Sequence, residues 1–187
     1  MSGRAAVFLD RDGVLNRALV VDGKPCAPRT LGEFELLPGI QAPVGALRAA
    51  GYPVIVATNQ PDVAAGLVGR AIVEQMHEKL RMAISIDDIK VCYHGDADEC
   101  LCRKPRPGLL LEAARERGLD LGRSFMVGDR WRDIGAGAAA GCFTIFLDRG
   151  YSEAQPAAPD AKVRSLAEAV SLILEIASLD MANPSQA

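Results

Sequence analysis

Two pairs of closely spaced aspartates are the strongest chemical signal in this sequence. Asp10 and Asp12 lie two residues apart, directly after a short apolar run, and Asp129 and Asp133 lie four apart after another such run. A single aspartate often caps a helix or forms a turn, but those roles give no reason for aspartates to recur at the ends of successive strands. Carboxylates that meet in one crevice repel each other unless a hard cation neutralises them. The two pairs therefore predict a Mg²⁺ site with room for a phosphate oxygen.

Three cysteines and one histidine crowd into eleven residues further along the chain. Three thiolates and one imidazole suit tetrahedral Zn²⁺ in a closed structural site, which leaves no open position for catalysis. Free buried thiols or a disulfide are the alternatives, but such clustering in a cytoplasmic chain favours a metal. Because the segment runs straight into Arg103 and Lys104, a metal there would also fix the position of those two residues. The predicted ligands are Cys92, His94, Cys100 and Cys102.

The elements that position these residues are short apolar runs that alternate with helical stretches. Runs that are apolar on both faces are typical of buried parallel strands, and the alternation predicts an α/β fold with one parallel sheet and helices on both faces. The predicted strands are Ala5–Leu9, Pro53–Ala57, Ile89–Tyr93, Ser124–Val127 and Thr144–Leu147. The predicted helices are Gly39–Ala50, Arg70–Ala83, Pro107–Arg117, Trp131–Ala140 and Ser165–Ser178. Ligands bind beyond the carboxyl ends of such strands, which is where the aspartates stand.

Four segments resemble, in order along the chain, the four motifs of the haloacid dehalogenase superfamily of phosphohydrolases. Phe8–Asn16 is similar to the first motif and Thr58-Asn59 to the second. Lys104 is similar to the third motif and Gly128–Asp133 to the fourth. The segments stand at predicted strand or helix boundaries, and the resemblance covers about residues 5–147. It implies a Rossmann-like parallel sheet and chemistry through an aspartyl phosphate.

The resemblance also implies a role for each motif residue. Asp10 would attack phosphorus in line and become phosphorylated, while Asp12 would protonate the leaving oxygen and then deprotonate water. Mg²⁺ would be bound by Asp10, Asp129 and the backbone oxygen of Asp12, and Asp133 would support this site from behind. Dehalogenating relatives lack an aspartate at position 12 and cation pumps carry threonine there, so the chain is predicted to be a phosphatase. The phosphoryl oxygens would be held by the Thr58 hydroxyl and the Asn59 amide, and Lys104 would neutralise the negative charge that a single Mg²⁺ leaves.

The cysteine segment narrows the resemblance to one subfamily. The pattern C-x-H…C-x-C followed by Arg-Lys-Pro resembles the subfamily of D-glycero-D-manno-heptose 1,7-bisphosphate phosphatases and histidinol-phosphate phosphatases, which implies catalytic Mg²⁺ and structural Zn²⁺. Asn16 and Arg103–Gly108 resemble the heptose enzymes, whereas the short spacer before Cys100 and the fourth motif resemble the histidinol-phosphate enzymes. We predict that the enzyme removes the 7-phosphate of the heptose bisphosphate, and that Arg103 and Arg130 bind the second phosphate of the substrate. Histidinol phosphate or another small phosphorylated metabolite is the alternative substrate.

Length, charge and composition argue against several other classes. The 187 residues predict a single domain over residues 1–187, with a frayed tail from about residue 180. A net charge of −3 and only 5% aromatic residues argue against nucleic-acid binding. No apolar stretch approaches the roughly 20 residues of a membrane span, and we find no secretory signal. We therefore expect a monomeric cytoplasmic enzyme that acts on a small phosphorylated metabolite and binds neither nucleic acid nor membranes.

The pocket is expected to lack a separate cap domain. The gaps between motifs are too short for one, so the rim must come from Arg17–Leu37, Pro61–Gly69 and the cysteine segment, which we call the zinc loop. Arg11 and Arg132 are each expected on a solvated surface, and His77 at a solvated or core-edge position. Outside enzymes, the alternative is a zinc-stabilised module that binds without turnover, against which the intact motifs argue. An end phosphatase of nucleic acids is a poorer alternative, because the chain lacks a basic stripe.

Overall fold

The structure of the protein is a computed structural model that describes residues 3–182. The strands are β1 (Val7–Leu9), β2 (Leu19–Val21), β3 (Lys24–Cys26), β4 (Val54–Asn59), β5 (Asp88–Cys92), β6 (Phe125–Gly128), β7 (Phe143–Leu147) and β8 (Ala161–Val163). The helices are α1 (Gln41–Ala49), α2 (Arg70–Ala83), α3 (Gly108–Arg117), α4 (Trp131–Ala140) and α5 (Leu166–Ala182). Six strands form one sheet in the order β5-β4-β1-β6-β7-β8, and every neighbouring pair is parallel.

The central strands are buried on both faces because helices cover both sides of the sheet. Alternate residues of a strand point to opposite faces, so Leu9 of β1 packs into one apolar cluster and Phe8 into the other. The Leu9 side also holds buried residues of α1, α2 and α5. The Phe8 side is covered by α3, through Leu109 and Leu110, and by α4, which packs on β6 and β7. The predicted parallel sheet with helices on both faces is confirmed, and α2 and α4 have the predicted bounds.

Register brings the motif residues to one edge of the sheet. Leu9 is paired with Val56 of β4 on one side and Val127 of β6 on the other. The chain after β1 stays in register for one more residue, since the Asp10 backbone N–H donates to the Val127 oxygen at 2.9 Å. The carboxyl ends of β1, β4 and β6 therefore open onto the same crevice.

Several elements differ from the sequence-based expectation. β2 and β3 form an antiparallel hairpin inside a segment predicted only as a loop, closed by Asp22 and Gly23, which both have positive φ. Such two-residue turns suit the twist of antiparallel strands. The short strand β8 adds an unpredicted edge to the sheet. Helix α5 continues to Ala182, past the predicted end at Ser178, and the rest of the predicted tail, residues 183–187, lies outside the described residues.

None of the helices in residues 3–182 combines the length and the apolar character needed to cross a bilayer.

Candidate active site

Three buried aspartates meet where the central strands end. Asp10 follows β1, Asp129 follows β6, and Asp133 lies in the first turn of α4. One carboxylate oxygen from each lies within 4.8 Å of the others, and all three residues are buried. The sheet thus brings together the two aspartate pairs that stand more than a hundred residues apart in the sequence.

Lys104 supplies the positive charge at this cluster. Its Nζ donates to Asp10 Oδ1 at 2.7 Å and to the Ala57 backbone oxygen at 2.6 Å, and it lies 2.6 Å from Asp133 Oδ1. Burial alone would lower the pKa of Lys104, but the facing Asp10 and Asp133 carboxylates outweigh it and hold the pKa above its ordinary value. The ammonium is therefore charged and fixed between two carboxylates.

One ammonium does not neutralise three carboxylates. Burial, followed by repulsion from Asp133, raises the pKa of Asp10 to about 7, although Lys104 opposes the rise. Burial and then Asp10 raise the pKa of Asp129 well above its ordinary value. Within the described chain, both oxygens of Asp129 are buried and make no hydrogen bond of ordinary geometry, although the Tyr151 hydroxyl lies beside them. The cluster has oxygen donors and excess negative charge, the environment that a hard divalent cation prefers.

The backbone after Asp12 leaves space for this cluster. Gly13 has φ +84°, and a Cβ at that position would come within 1.7 Å of Asp129 Oδ2. Only glycine accepts both the conformation and the close approach. The donor set and the space around Asp129 fit Mg²⁺, to which Asp10 and Asp129 would supply carboxylate oxygens.

Asp12 is held differently from Asp10. Its Oδ1 accepts from Asn16 Nδ2 at 2.9 Å, and its Oδ2 accepts from Gln60 Nε2 at 2.8 Å. Arg11 donates to the same carboxylate from Nε at 3.2 Å and from Nη2 at 3.0 Å. Three side chains therefore fix the orientation of Asp12, which still borders the cavity.

Arg11 and His77 contradict the sequence-based expectation that they lie at or near the surface. Both side chains are fully buried, and Arg11 Nη1 lies 3.1 Å from His77 Nε2. The reason is the ion pair with Asp12, which lets a guanidinium enter the interior beneath the crevice. Arg132 is part-buried, with an Nη1–Asp96 Oδ1 distance of 3.2 Å.

The second motif contributes mainly by holding other parts of the site. Thr58 is buried, and its hydroxyl accepts a hydrogen bond from Gln60 Nε2 at 2.9 Å. Asn59 donates to the Lys104 backbone oxygen at 3.0 Å and accepts from the Lys104 backbone N–H at 3.1 Å. The Asn59 side chain is thus occupied in fixing the backbone of Lys104, and this differs from the phosphate contact expected of its amide.

A cavity of about 190 Å³ opens above these residues. Asp10, Asp12 and Lys104 border it from the sheet. Two of the three predicted segments contribute to its rim, with Cys26 in the first and Asp62 in the second. The zinc loop itself does not line the cavity, and only Arg103 and Lys104, which directly follow it, do so. The sequence does not predict that Cys26 and Arg29 border the cavity, because their approach depends on the hairpin β2–β3; Cys26, expected from the sequence to be a buried thiol, is partly exposed.

The arginines that border the cavity already hold acidic partners. Arg103 Nε lies 2.7 Å from Asp96 Oδ1, and Arg130 Nε lies 2.9 Å from Glu153 Oε1. Arg29, which the sequence analysis had not identified, is paired with Asp62 at 2.7 Å. The cavity therefore has cationic groups near the aspartate cluster, each paired with a carboxylate, and Arg103 and Arg132 share Asp96.

The predicted zinc ligands also come together. Cys92 Sγ lies 3.1 Å from Cys102 Sγ and 3.6 Å from Cys100 Sγ, and Cys100 lies 3.4 Å from Cys102. His94 Nδ1 is 3.2 Å from the Cys102 sulfur. Zinc–sulfur bonds of about 2.3 Å in a tetrahedron place sulfurs about 3.8 Å apart, so the four groups fit one Zn²⁺ after small outward shifts.

Comparisons with known proteins agree with this geometry. A family model for HAD-hydrolase-like proteins matches residues 101–169. The chain is 37% identical over 149 residues to D-glycero-beta-D-manno-heptose-1,7-bisphosphate 7-phosphatase of Bordetella bronchiseptica, covering 77% of this chain and 80% of that protein. It is 38% identical over 150 residues to the corresponding alpha-anomer enzyme of Mycobacterium tuberculosis, covering 74% and 77%.

A solved structure supports the same relationship. The crystal structure of the D,D-heptose 1,7-bisphosphate phosphatase from B. bronchiseptica, complexed with magnesium and phosphate, superposes with a TM-score of 0.79 at 32% identity. The match covers 92% of this chain and 99% of that one. Together with the aspartate cluster at the strand ends, these relationships confirm the family that the motifs resemble. The chain belongs to the haloacid dehalogenase-like hydrolases and, like these relatives, is a phosphatase.

Proposed function

We propose that the protein is a Mg²⁺-dependent phosphatase that removes the 7-phosphate from D-glycero-D-manno-heptose 1,7-bisphosphate. The observation that carries the proposal is the buried cluster of Asp10, Asp129 and Lys104 at the base of a cavity bordered by arginines. The names of the relatives support the substrate, since both anomers of the heptose bisphosphate occur among them.

Asp10 is the proposed nucleophile. Its carboxylate attacks phosphorus, the bond from phosphorus to the sugar oxygen breaks, and Asp12 gives that oxygen a proton. Asp12 then takes a proton from a water molecule, whose oxygen attacks the phosphorus of the aspartyl phosphate and releases Asp10 and inorganic phosphate. In both steps the positive charge of Lys104 stabilises the negative charge on the transferring phosphoryl group.

Mg²⁺, when bound by Asp10, Asp129 and the Asp12 backbone oxygen, would stabilise negative charge on the phosphoryl oxygens. Asp133 positions Lys104 and accepts a hydrogen bond from the Arg130 backbone N–H at 2.9 Å, so it joins the cluster to the start of α4. We also propose a structural Zn²⁺ at Cys92, His94, Cys100 and Cys102, with no part in the chemistry.

Histidinol phosphate is the second candidate substrate. Asp62 borders the cavity, and Asp96 and Glu153 stand beside its arginines. These carboxylates could attract a cationic substrate, whereas Arg103 and Arg130 favour a second phosphate. Arg103 and Arg130 line the cavity, whereas Asp96 and Glu153 are not among its lining residues, so the bisphosphate is the favoured substrate.

The test is a comparison of kcat/KM for both anomers of the heptose bisphosphate, histidinol phosphate and fructose 1,6-bisphosphate. We expect one heptose anomer to be the best substrate, with activity lost in chelator and restored by Mg²⁺. Preference for histidinol phosphate would overturn the substrate assignment, and equal low rates would mean that the substrate is another metabolite. Absence of all turnover with Mg²⁺ present would favour the non-catalytic binding module.

A further inference from the structure

A chain of hydrogen bonds, buried at Arg11 and His77, runs from Asp12 away from the cavity, and the mechanism above does not use it. The chain begins with Arg11, whose Nε and Nη2 donate to Asp12. The remaining nitrogen, Nη1, lies 3.1 Å from Nε2 of His77 on α2. Both Arg11 and His77 are fully buried, so neither exchanges its partner for water.

The direction of each hydrogen bond follows from the chemistry of arginine. A guanidinium has donors and no acceptor, so Nη1 donates and His77 Nε2 accepts. The imidazole proton is then on Nδ1, which faces Glu74 Oε2 at 3.4 Å. The other Glu74 oxygen accepts from the hydroxyl of Tyr93, which stands in the sequence between two proposed zinc ligands. Burial, followed by the charge of Arg11, lowers the pKa of His77 to about 4, so the ring is a neutral acceptor.

A neutral acceptor is what this position requires. A buried guanidinium is costly unless its donors are satisfied. A carboxylate at position 77 would compete with Asp12 for the charge of Arg11, and an aliphatic side chain would leave Nη1 without a partner. With Nη1 held by His77, the other two nitrogens of Arg11 face Asp12 as a rigid fork.

We propose that His77, oriented by Glu74, is a positioning residue of the phosphatase reaction. It fixes Arg11, and Arg11 fixes the Asp12 carboxylate in the orientation that transfers a proton to the leaving group. This inference rests on the proposed acid–base role of Asp12. His77 itself touches neither the substrate nor the transferred proton.

The test compares two leaving groups in His77→Leu and His77→Gln. The constant kcat/KM covers the steps up to departure of the leaving group, and 4-nitrophenolate departs without protonation whereas a sugar oxygen needs a proton. His77→Leu should lower kcat/KM about 30-fold for the best sugar phosphate and less than about threefold for 4-nitrophenyl phosphate, within the range of acid–base assistance. His77→Gln keeps an acceptor for Arg11 and should stay within about threefold of the wild type on both.

Glu78→Gln is the matched control on the same helix, because Glu78 is exposed and pairs with Arg81. Glu78→Gln should leave kcat/KM unchanged for both substrates. Equal losses on both substrates in His77→Leu would indicate a structural role alone and overturn the inference. If circular dichroism shows that His77→Leu does not fold, the comparison is repeated with His77→Asn, whose shorter amide does not reach Arg11.

A crystal structure of the folded variant gives a readout without turnover. The Asp12 carboxylate should leave its hydrogen bonds with Asn16 and Gln60, and an unmoved Asp12 would overturn the inference. Failure of the proposed heptose substrate is separable from this result. It would appear as poor wild-type activity on the heptose bisphosphate, while the leaving-group comparison uses whichever sugar phosphate the wild type hydrolyses best.

Discussion

Ionisation of Asp10 in the folded protein is unfavourable while no Mg²⁺ is bound. Its carboxylate is buried beside Asp133, and burial together with that neighbour raises its pKa to about 7. Asp10→Asn removes this charge and keeps the shape of the side chain. Lys104 still has Asp133 and the Ala57 oxygen as partners.

We therefore expect Asp10→Asn to lose at least about 10³-fold in turnover, as removal of a nucleophile does, without loss of stability. Melting in chelator at about pH 8 should give a Tm no lower than that of the wild type. Asp22→Asn, the same change at an exposed turn, is the control and should keep full activity. Near-normal turnover by Asp10→Asn would contradict the proposed mechanism.

His77 gives the stability of the protein a pH dependence. Its pKa is lowered from 6.5 to about 4 in the folded chain, first by burial and then by Arg11. Between these values the unfolded chain binds a proton that the folded chain does not. The stabilisation is therefore complete above about pH 6.5 and is lost as the pH falls toward about 4, by roughly 3 kcal/mol in all.

Urea unfolding of the wild type and His77→Gln at about pH 7.5 and about pH 5 isolates this effect. On acidification the wild type should lose roughly 2 kcal/mol more than the variant. A stability difference that stays the same at both pH values would show that His77 does not titrate as described.

The burial of Arg11 and His77 could not be predicted from the sequence. Arg11 and His77 stand 66 residues apart, and each has an ordinary local context. Only the tertiary fold, which brings α2 next to the segment that follows β1, makes them neighbours. By contrast, Asp10, Asp129 and Lys104 were predicted to meet, because each stands next to a strand or loop that a parallel sheet directs to one edge.

At the scale of elements, the zinc loop holds the segment that carries Lys104. Cys102 precedes Arg103 and Lys104 directly, and the Asn59 side chain fixes Lys104 from the other side. We expect about one zinc per chain, as a closed four-ligand site implies. Cys100→Ser should lose that zinc and lower activity about tenfold or more, as for residues that support a metal site.

Added Mg²⁺ should not restore the activity of the Cys100→Ser variant, because the substitution displaces Lys104 and does not weaken Mg²⁺ binding. Cys26→Ser changes a thiol outside the cluster and should keep the zinc content of the wild type. Metal analysis of freshly reduced protein checks both variants. Finding a Cys100–Cys102 disulfide and no zinc in the wild type would contradict the site.

Elements with continuous apolar runs were predictable and short polar ones were not. β4 reads Val-Ile-Val-Ala and is buried along this run, so its sequence alone indicates a central strand. The hairpin has an exposed face and Pro25 within β3, which weakens the strand pattern. Its Asp22-Gly23 turn was the available signal. β8 contains Lys162 and is a strand only because β7 offers an open edge.

At the scale of the whole molecule, both apolar clusters share the same central strands. Neither cluster can lose its packing while β1, β4 and β6 stay buried. We expect one cooperative unfolding transition, consistent with the predicted single domain. Fluorescence of Trp131, the only tryptophan, and far-UV circular dichroism should give coincident urea curves. Two separated transitions would divide the protein into independent units.

The paired arginines of the cavity have a consequence for ligand exchange. A phosphate that binds Arg103 or Arg130, as proposed, would have to displace Asp96 or Glu153, so one anion would replace another at that arginine. A sugar product that retains its other phosphate can then be displaced by the returning carboxylates. On that proposal Asp96 and Glu153 would act as tethered counter-ions of the arginines, and we expect rapid product release and weak product inhibition.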